Sequence, residues 1–193
     1  GGHRTAGPAA ATERAGMNQP APETQRLFFA LWPDDEVRQR LAAASRQWSR
    51  HPVPEHNLHM TLVFLGDCTP EQRACYCAAA AAVEVERFSL ALDFLGGRAR
   101  SRIQWLGSSE TPEALRCLVR ELSRGLQECG FEPEKRPFLA HVTLSRKVKN
   151  PVVKAGLDGL VWRVGDFALV ESVQEPGGVR YRVLERWALR QGD

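Results

Sequence analysis

Leu58-His59-Met60-Thr61-Leu62 and Ala140-His141-Val142-Thr143-Leu144 share the pattern His-x-Thr-Leu, with the two histidines 82 residues apart. Each copy sits in an apolar run, and the surrounding sequence predicts strands over 58–65 and 138–145. Side chains alternate across a strand, so His59 and Thr61 share one face about 7 Å apart while Met60 and Leu62 point into the core. The second copy repeats the arrangement with His141 and Thr143. A lone His-x-Thr in a half-buried strand needs only local hydrogen bonds to account for it. Only five histidines occur in 193 residues, His3, His51, His56, His59 and His141, so a second copy by chance is rare. Both lie where a buried imidazole must find polar partners, which points to a shared function.

Outward from the first copy, Arg26-Leu27-Phe28-Phe29-Ala30-Leu31-Trp32 reads as a buried strand stopped by Pro33. Asp34 or Asp35 then caps a helix to about Arg50, with Val37, Leu41, Ala44 and Trp48 on one stripe. Thr69-Pro70-Glu71-Gln72 is a capping-box signal with proline at the first helical position, opening an Ala-rich helix to about Glu86. Phe88–Leu95 and Ile103–Leu106 are expected strands joined by Gly96-Gly97. Thr111-Pro112-Glu113 repeats the helix-opening signal, and Leu115, Leu118, Val119, Leu122 and Leu126 carry the helix to Gly130. Val161–Val173 and Val179–Leu189 form a hairpin about Glu175-Pro176-Gly177-Gly178. Strands that follow one another without intervening helices argue for an α+β fold with antiparallel pairing.

The chain has 193 residues, 43% of them hydrophobic, enough for one domain or two small lobes with a real core. Residues 1–25, rich in Gly, Ala, Pro and Thr, read as a disordered leader with Met17 as a natural start, and 26–193 as one folded unit. No run approaches the roughly 20 apolar residues of a membrane span, so a cytoplasmic protein without a membrane partner is expected. The net charge of +3 is too small for generic polyanion binding. Local clusters must carry any such role. Lys135, Arg136, Arg146, Lys147 and Lys149 flank the second motif, and Arg98, Arg100 and Arg102 alternate as one face of a possible strand. The odd set Cys68, Cys75, Cys77, Cys117 and Cys129 has no CxxC spacing and reads as unbridged thiols. His51 and His56, in a Pro-containing loop, read as surface residues.

Two histidines without a third ligand make a weak zinc site, even with Asp67 or Cys68 considered. No G-x-S-x-G elbow and no Walker-type loop occurs. Two imidazoles with two hydroxyls suit in-line displacement at phosphorus without a metal or other cofactor. One imidazole takes a proton from the attacking group, the other protonates the leaving oxygen, and hydroxyls hold the non-bridging oxygens. The residues alone do not say which histidine is which.

The paired motifs resemble those of the two-histidine phosphoesterase superfamily. Arg26-Leu27-Phe28-Phe29-Ala30, Asn57–Gly66 and Arg136–Arg146 are similar to its bacterial RNA 2′,3′-cyclic phosphodiesterase branch, also called 2′-5′ RNA ligase. The resemblance covers roughly residues 26–189, with Ala140 and Ser145 standing where proline and alanine are expected. It implies a bilobal fold, two pseudo-symmetric lobes each with a small antiparallel sheet backed by helices, and an active-site cleft between them. It further implies a hydrolase that opens terminal 2′,3′-cyclic phosphates to 2′-phosphomonoesters, with His59 as proton donor, His141 as proton acceptor, and Thr61 and Thr143 on the phosphate. RNA 2′-5′ ligation would need only a ribose 5′-hydroxyl in place of water. The expected partners are RNA or nucleotides ending in such a cyclic phosphate, met by a monomer. Arg146 is placed to turn toward the cleft and bind substrate, and the stripe of Arg98, Arg100 and Arg102 to extend an RNA track. Phe64, Phe138 and Trp105 could stack a nucleobase, although the core is their expected place. The alternatives are an idle nucleotide- or RNA-binding module, and a phosphodiesterase for 2′-5′ oligonucleotides or ADP-ribose cyclic phosphate.

Overall fold

The computed structural model describes residues 23–192. Most of the expected leader, with His3 and Met17, lies outside them. In order come β1 (Gln25–Leu31), α1 (Asp35–Trp48), β2 (Met60–Cys68), α2 (Pro70–Ala81), β3 (Phe88–Leu92), β4 (Phe94–Arg98) and β5 (Ile103–Gly107). There follow α3 (Glu113–Glu128), β6 (His141–Ser145), β7 (Leu160–Val164), β8 (Asp166–Glu175) and β9 (Gly178–Ala188). One lobe carries a four-stranded sheet in the order β2-β1-β8-β9, and the other a three-stranded sheet β4-β5-β6 beside the pair β3-β7. All pairings between these strands are antiparallel. The two motif strands, β2 and β6, are corresponding edge strands of their sheets.

The helix starts follow from capping chemistry. Asp34 Oδ1 accepts the Val37 N–H at 2.9 Å and opens α1. At α2 the Thr69 hydroxyl accepts from Gln72 N while the Gln72 side chain accepts from Thr69 N, closing the expected box. The twin signal at Thr111 behaves differently: Pro112 is the flanking residue of α3 and no side chain caps it. Leu115, Leu118, Leu122 and Leu126 of α3 are fully buried, and Gly130 terminates the turn with φ +85°.

Several expected boundaries move for physical reasons. Helix α2 ends at Ala81, short of Glu86, because the backbone from Val85 on is bonded to the C-terminal segment. There Arg190 N donates to Val85 O, Arg87 N donates to Arg190 O, and Leu189 N donates to Gly165 O, all at 2.8–2.9 Å. The expected strand 161–173 breaks at Gly165, so that β7 pairs with β3 and only β8 forms the hairpin with β9. Gly96 and Gly97 lie inside β4 and are not its turn; the turn is 99–102. Arg98 is therefore the end of β4, and Arg100 and Arg102 sit in a turn, not on a strand face. The glycines serve close packing. A Cβ at Gly96 would lie 2.3 Å from the Trp105 indole, and one at Gly97 would lie 2.4 Å from Pro151 Cβ.

One cluster of buried residues runs through both lobes, from Leu27, Phe29 and Leu31 of β1 to Val142 and Leu144 of β6 and Trp162 of β7. Strand β1 is buried on both faces, and its other face adds a small cluster of Phe28, Ala30, Ala168 and Val170, packed by Trp32, Tyr181 and Val183. Helix α1 contacts β6 and β7 while α3 contacts β2, so each helix reaches toward the other lobe's strands. Helices α2 and α3 pack together and are bridged by a Cys75–Cys129 disulfide. That corrects the expectation of five unbridged thiols: spacing rules see neighbours, and these cysteines are 54 residues apart. Closing such a loop is worth about 4 kcal/mol in the chain-entropy picture. Cys68, Cys77 and Cys117 are free. Among the described residues no helix is long and apolar enough to cross a membrane.

Gly96→Ala should lower stability by about 1–3 kcal/mol, because the new methyl must displace the Trp105 ring. Gly177→Ala, with nothing within 4 Å of its added carbon, should change it far less. Urea midpoints of the two variants check the contrast.

Candidate active site

His59 directly precedes β2 and His141 opens β6. Both rings are anchored in the same way: His59 Nδ1 lies 2.6 Å from Asn57 O and His141 Nδ1 lies 2.7 Å from Leu139 O. A carbonyl can only accept, so each Nδ1 carries the hydrogen, and Nε2 is the nitrogen left for other work. At His59 that nitrogen is 2.9 Å from Thr61 Oγ1, as expected for side chains sharing one strand face.

The carbonyl under His59 is itself held. Buried Asn57 donates from Nδ2 to Val179 O at 2.8 Å and accepts from Tyr181 N, lashing the turn before β2 to strand β9. Arg38 of α1 donates to Glu55 O at 2.6 Å and Leu58 O at 3.0 Å, and its guanidinium lies 4.8 Å from the Trp32 ring centre. Trp32 in turn stacks on His59 at 5.8 Å and 22°. Phe28 and Tyr181 complete the surroundings, with centroids 5.0 and 4.9 Å from the His59 ring. Among the described residues His141 meets one aromatic neighbour instead, Trp105, in an edge-to-face arrangement at 6.0 Å.

This unequal packing sets the electrostatics. Burial pushes the His59 pKa down to about 4; the Asn57 carbonyl opposes that, and the positive fields of Arg146, Arg38 and His141 reinforce it. His59 is thus a neutral imidazole in the free protein at neutral pH, with its Nε2 lone pair accepting from Thr61.

A cavity of about 760 Å³ lies between the lobes, and His59, Thr61, His141, Thr143 and Arg146 all line it. The structure therefore brings these five residues together, with Arg98 of the expected arginine stripe also on the wall and Arg100 and Arg102 outside it. Trp105 and Phe138 line it half-buried, and Phe64 is 58% exposed at its edge, contrary to a core placement. Register shifts in the β1–β2 pairing break the alternation that would have turned Phe64 inward. Ser145 goes the other way. Strand alternation would put it on the face of His141 and Thr143, yet it is fully buried, donating to His51 O and accepting from Ser49 Oγ, both at 2.8 Å. That bond, with Val53 N donating to Leu144 O, brings His51 to the cavity wall, while His51 and His56 remain exposed.

Asp67 and Cys68 close the far end of β2, about 27 Å from His59 at the usual rise per strand residue, too far to join it as metal ligands. Asn57, Trp32, Arg38 and Tyr181 were not indicated by sequence. Tyr181 alternates with Arg180 and Arg182 along β9, which marks a face but not what that face meets.

A family model described as the 2′-5′ RNA ligase superfamily matches residues 33–175. An RNA 2′,3′-cyclic phosphodiesterase of Escherichia coli is 35% identical over 175 residues, covering 88% of this chain and 99% of its own. One from Thermus thermophilus is 37% identical over 184 residues, covering 86% and 90%. The crystal structure of E. coli LigT complexed with 3′-AMP superposes with a TM-score of 0.80 at 33% identity, covering 88% of this chain and all of that one.

A histidine whose pKa lies below the ordinary 6.5 refuses a proton that the unfolded chain accepts, so stability should fall as pH drops from about 6.5 toward 4. The NMR titration of the His59 ring should show a midpoint near 4. Phe28→Ala, which admits water to the ring, should raise it.

Proposed function

The chain belongs to the 2′-5′ RNA ligase superfamily, and from that premise we propose that it is an RNA 2′,3′-cyclic phosphodiesterase, a hydrolase acting on RNA or nucleotides that end in a 2′,3′-cyclic phosphate. The observation that carries the reading is the matched anchoring of His59 and His141, which leaves each an Nε2 for chemistry in one shared cavity.

In this reading water stands beside His141 and the ribose O3′ beside His59. His141 Nε2 takes a proton from water as its oxygen attacks phosphorus, the P–O3′ bond breaks, and O3′ takes a proton from His59 Nε2. The product is a 2′-phosphomonoester with a free 3′-hydroxyl. Thr61 and Thr143 donate to the non-bridging oxygens, and Arg146 offsets their charge. His59 must be doubly protonated to act as the donor. The anionic phosphate supplies the opposing charge that its surroundings lack, so the imidazolium forms with substrate bound and is then a strong acid. A 5′-hydroxyl in the place of water would make a 2′-5′ linkage by the same proton transfers.

His59→Ala and His141→Ala should each lower kcat on cytidine 2′,3′-cyclic phosphate by about 10²–10⁴ while the protein still binds the 2′-phosphate product. The pH profile should be bell-shaped, with limbs belonging to the coupled pair. Both single variants keeping more than a tenth of wild-type turnover would overturn the roles, and binding without turnover in the wild type would mark an idle module.

Orientation is tested by the product. Phosphorus NMR should show the 2′-phosphate in excess; a predominantly 3′-phosphate product would reverse the placement of the ribose and leave the two-imidazole chemistry standing.

A further inference from the structure

Charge is distributed unevenly around the cavity. Segments 94–107 and 138–149 contain six basic residues, Arg98, Arg100, Arg102, Arg146, Lys147 and Lys149, and no acidic one. The rest of the chain holds 20 basic against 23 acidic residues and is net negative. Among the described residues none of the six is in an ion pair, although Arg73, Arg120, Arg182, Arg186 and Arg190 all are. The two segments are joined where Val148 N donates to Arg102 O at 2.9 Å, so the β4–β5 turn and the loop after β6 form one surface. Arg98, Arg146 and Lys147 line the cavity itself, while Arg100, Arg102 and Lys149 are exposed beyond it. The Arg98 guanidinium lies 5.9 Å from the Trp105 ring centre, placing a cation beside an aromatic plane on the cavity wall. On the 131–136 side Glu132 and Glu134 stand beside Lys135 and Arg136, so no net charge is offered there.

A row of unpaired cations continuous with a phosphate site is placed for a polymer bearing one phosphate per residue. A cyclic mononucleotide has a single phosphate and leaves that row unused. We infer that the RNA strand preceding the cyclic end leaves the cavity over the β4–β5 turn, its phosphates meeting Arg100, Arg102 and Lys149, so that an oligonucleotide end is the preferred substrate. This inference rests on the cyclic phosphodiesterase reading.

The test compares a short oligoribonucleotide ending in a 2′,3′-cyclic phosphate with cytidine 2′,3′-cyclic phosphate, on the wild type and an Arg100→Gln, Lys149→Gln double variant. Each phosphate contact to a single strand contributes roughly −0.7 to the slope of log affinity against log salt. Under subsaturating substrate the wild type should favour the oligonucleotide, with kcat/KM falling between 50 and 200 mM salt at a slope that the double variant reduces by about 1.4. The variant should lose about ten-fold or more on the oligonucleotide and stay within about two-fold on the mononucleotide. Charge reversal to Glu at both positions should deepen the first loss only. Equal losses on both substrates, or an unchanged salt slope, would overturn the inference. Wild type inert toward both substrates would instead defeat the reading beneath it.

Discussion

A backbone carbonyl two residues upstream decides what each cavity histidine can do. By accepting from Nδ1, Asn57 O and Leu139 O fix the tautomer, fix the ring plane and hand the remaining nitrogen to the cavity. Much of the nearby structure serves to hold those two carbonyls still. Asn57 is tied to β9 through both ends of its amide, and Arg38 grips the carbonyl of Glu55, which opens the 3-10 turn Glu55–Asn57, and that of Leu58, which follows it. On the other lobe the Trp105 indole lies against Gly96, where an added side chain would have to displace it, and meets His141 in an edge-to-face arrangement. Misplacement of a reacting group by about 1 Å can cost a hundred-fold in rate, which is the scale on which such bracing matters.

Pseudo-symmetric motifs do not make equivalent histidines. His59 is walled by Phe28, Trp32 and Tyr181 and feels two arginines, whereas His141 has one aromatic neighbour. The same motif on the same kind of strand thus acquires different surroundings from what the fold packs around it, and at His59 they disfavour the charged ring.

The strand alternation of His-x-Thr-Leu and the caps at Asp34 and Thr69 were legible in the sequence, because each depends on residues adjacent or alternating in the chain; that His59, Thr61, His141, Thr143 and Arg146 share one cavity was expected only from the family resemblance, since the two motifs lie 82 residues apart. What was missed depends on distant partners. Gly96-Gly97 looked like a turn because glycine also marks turns, and only the neighbouring strand reveals that an indole occupies the space. The Cys75–Cys129 bridge and the Ser145–His51 bond join segments more than 50 residues apart. Phe64 broke its expected alternation because a register shift arises from pairing with β1 and leaves no mark in β2 itself.

The second lobe is one uninterrupted length of chain, from β3 through β7, set into the first, whose last two strands come after it. Its entry and exit strands are paired to each other, Phe88 against Val164. A body hung from two adjacent points can swing only about the line through them, like a door on two pins. The C-terminal residues Leu189 and Arg190 bond to the backbone at both pins, at Val85, Arg87 and Gly165, and so act as a latch across the hinge line. The bond from Ser145 to His51 and the disulfide between α2 and α3 add further ties between door and frame. The gap between the motif strands is consequently braced in three places, by backbone bonds along the hinge line, by a side-chain bond behind β6 and by a covalent bridge between two helices, so that opening it like a jaw would break ties of three different kinds.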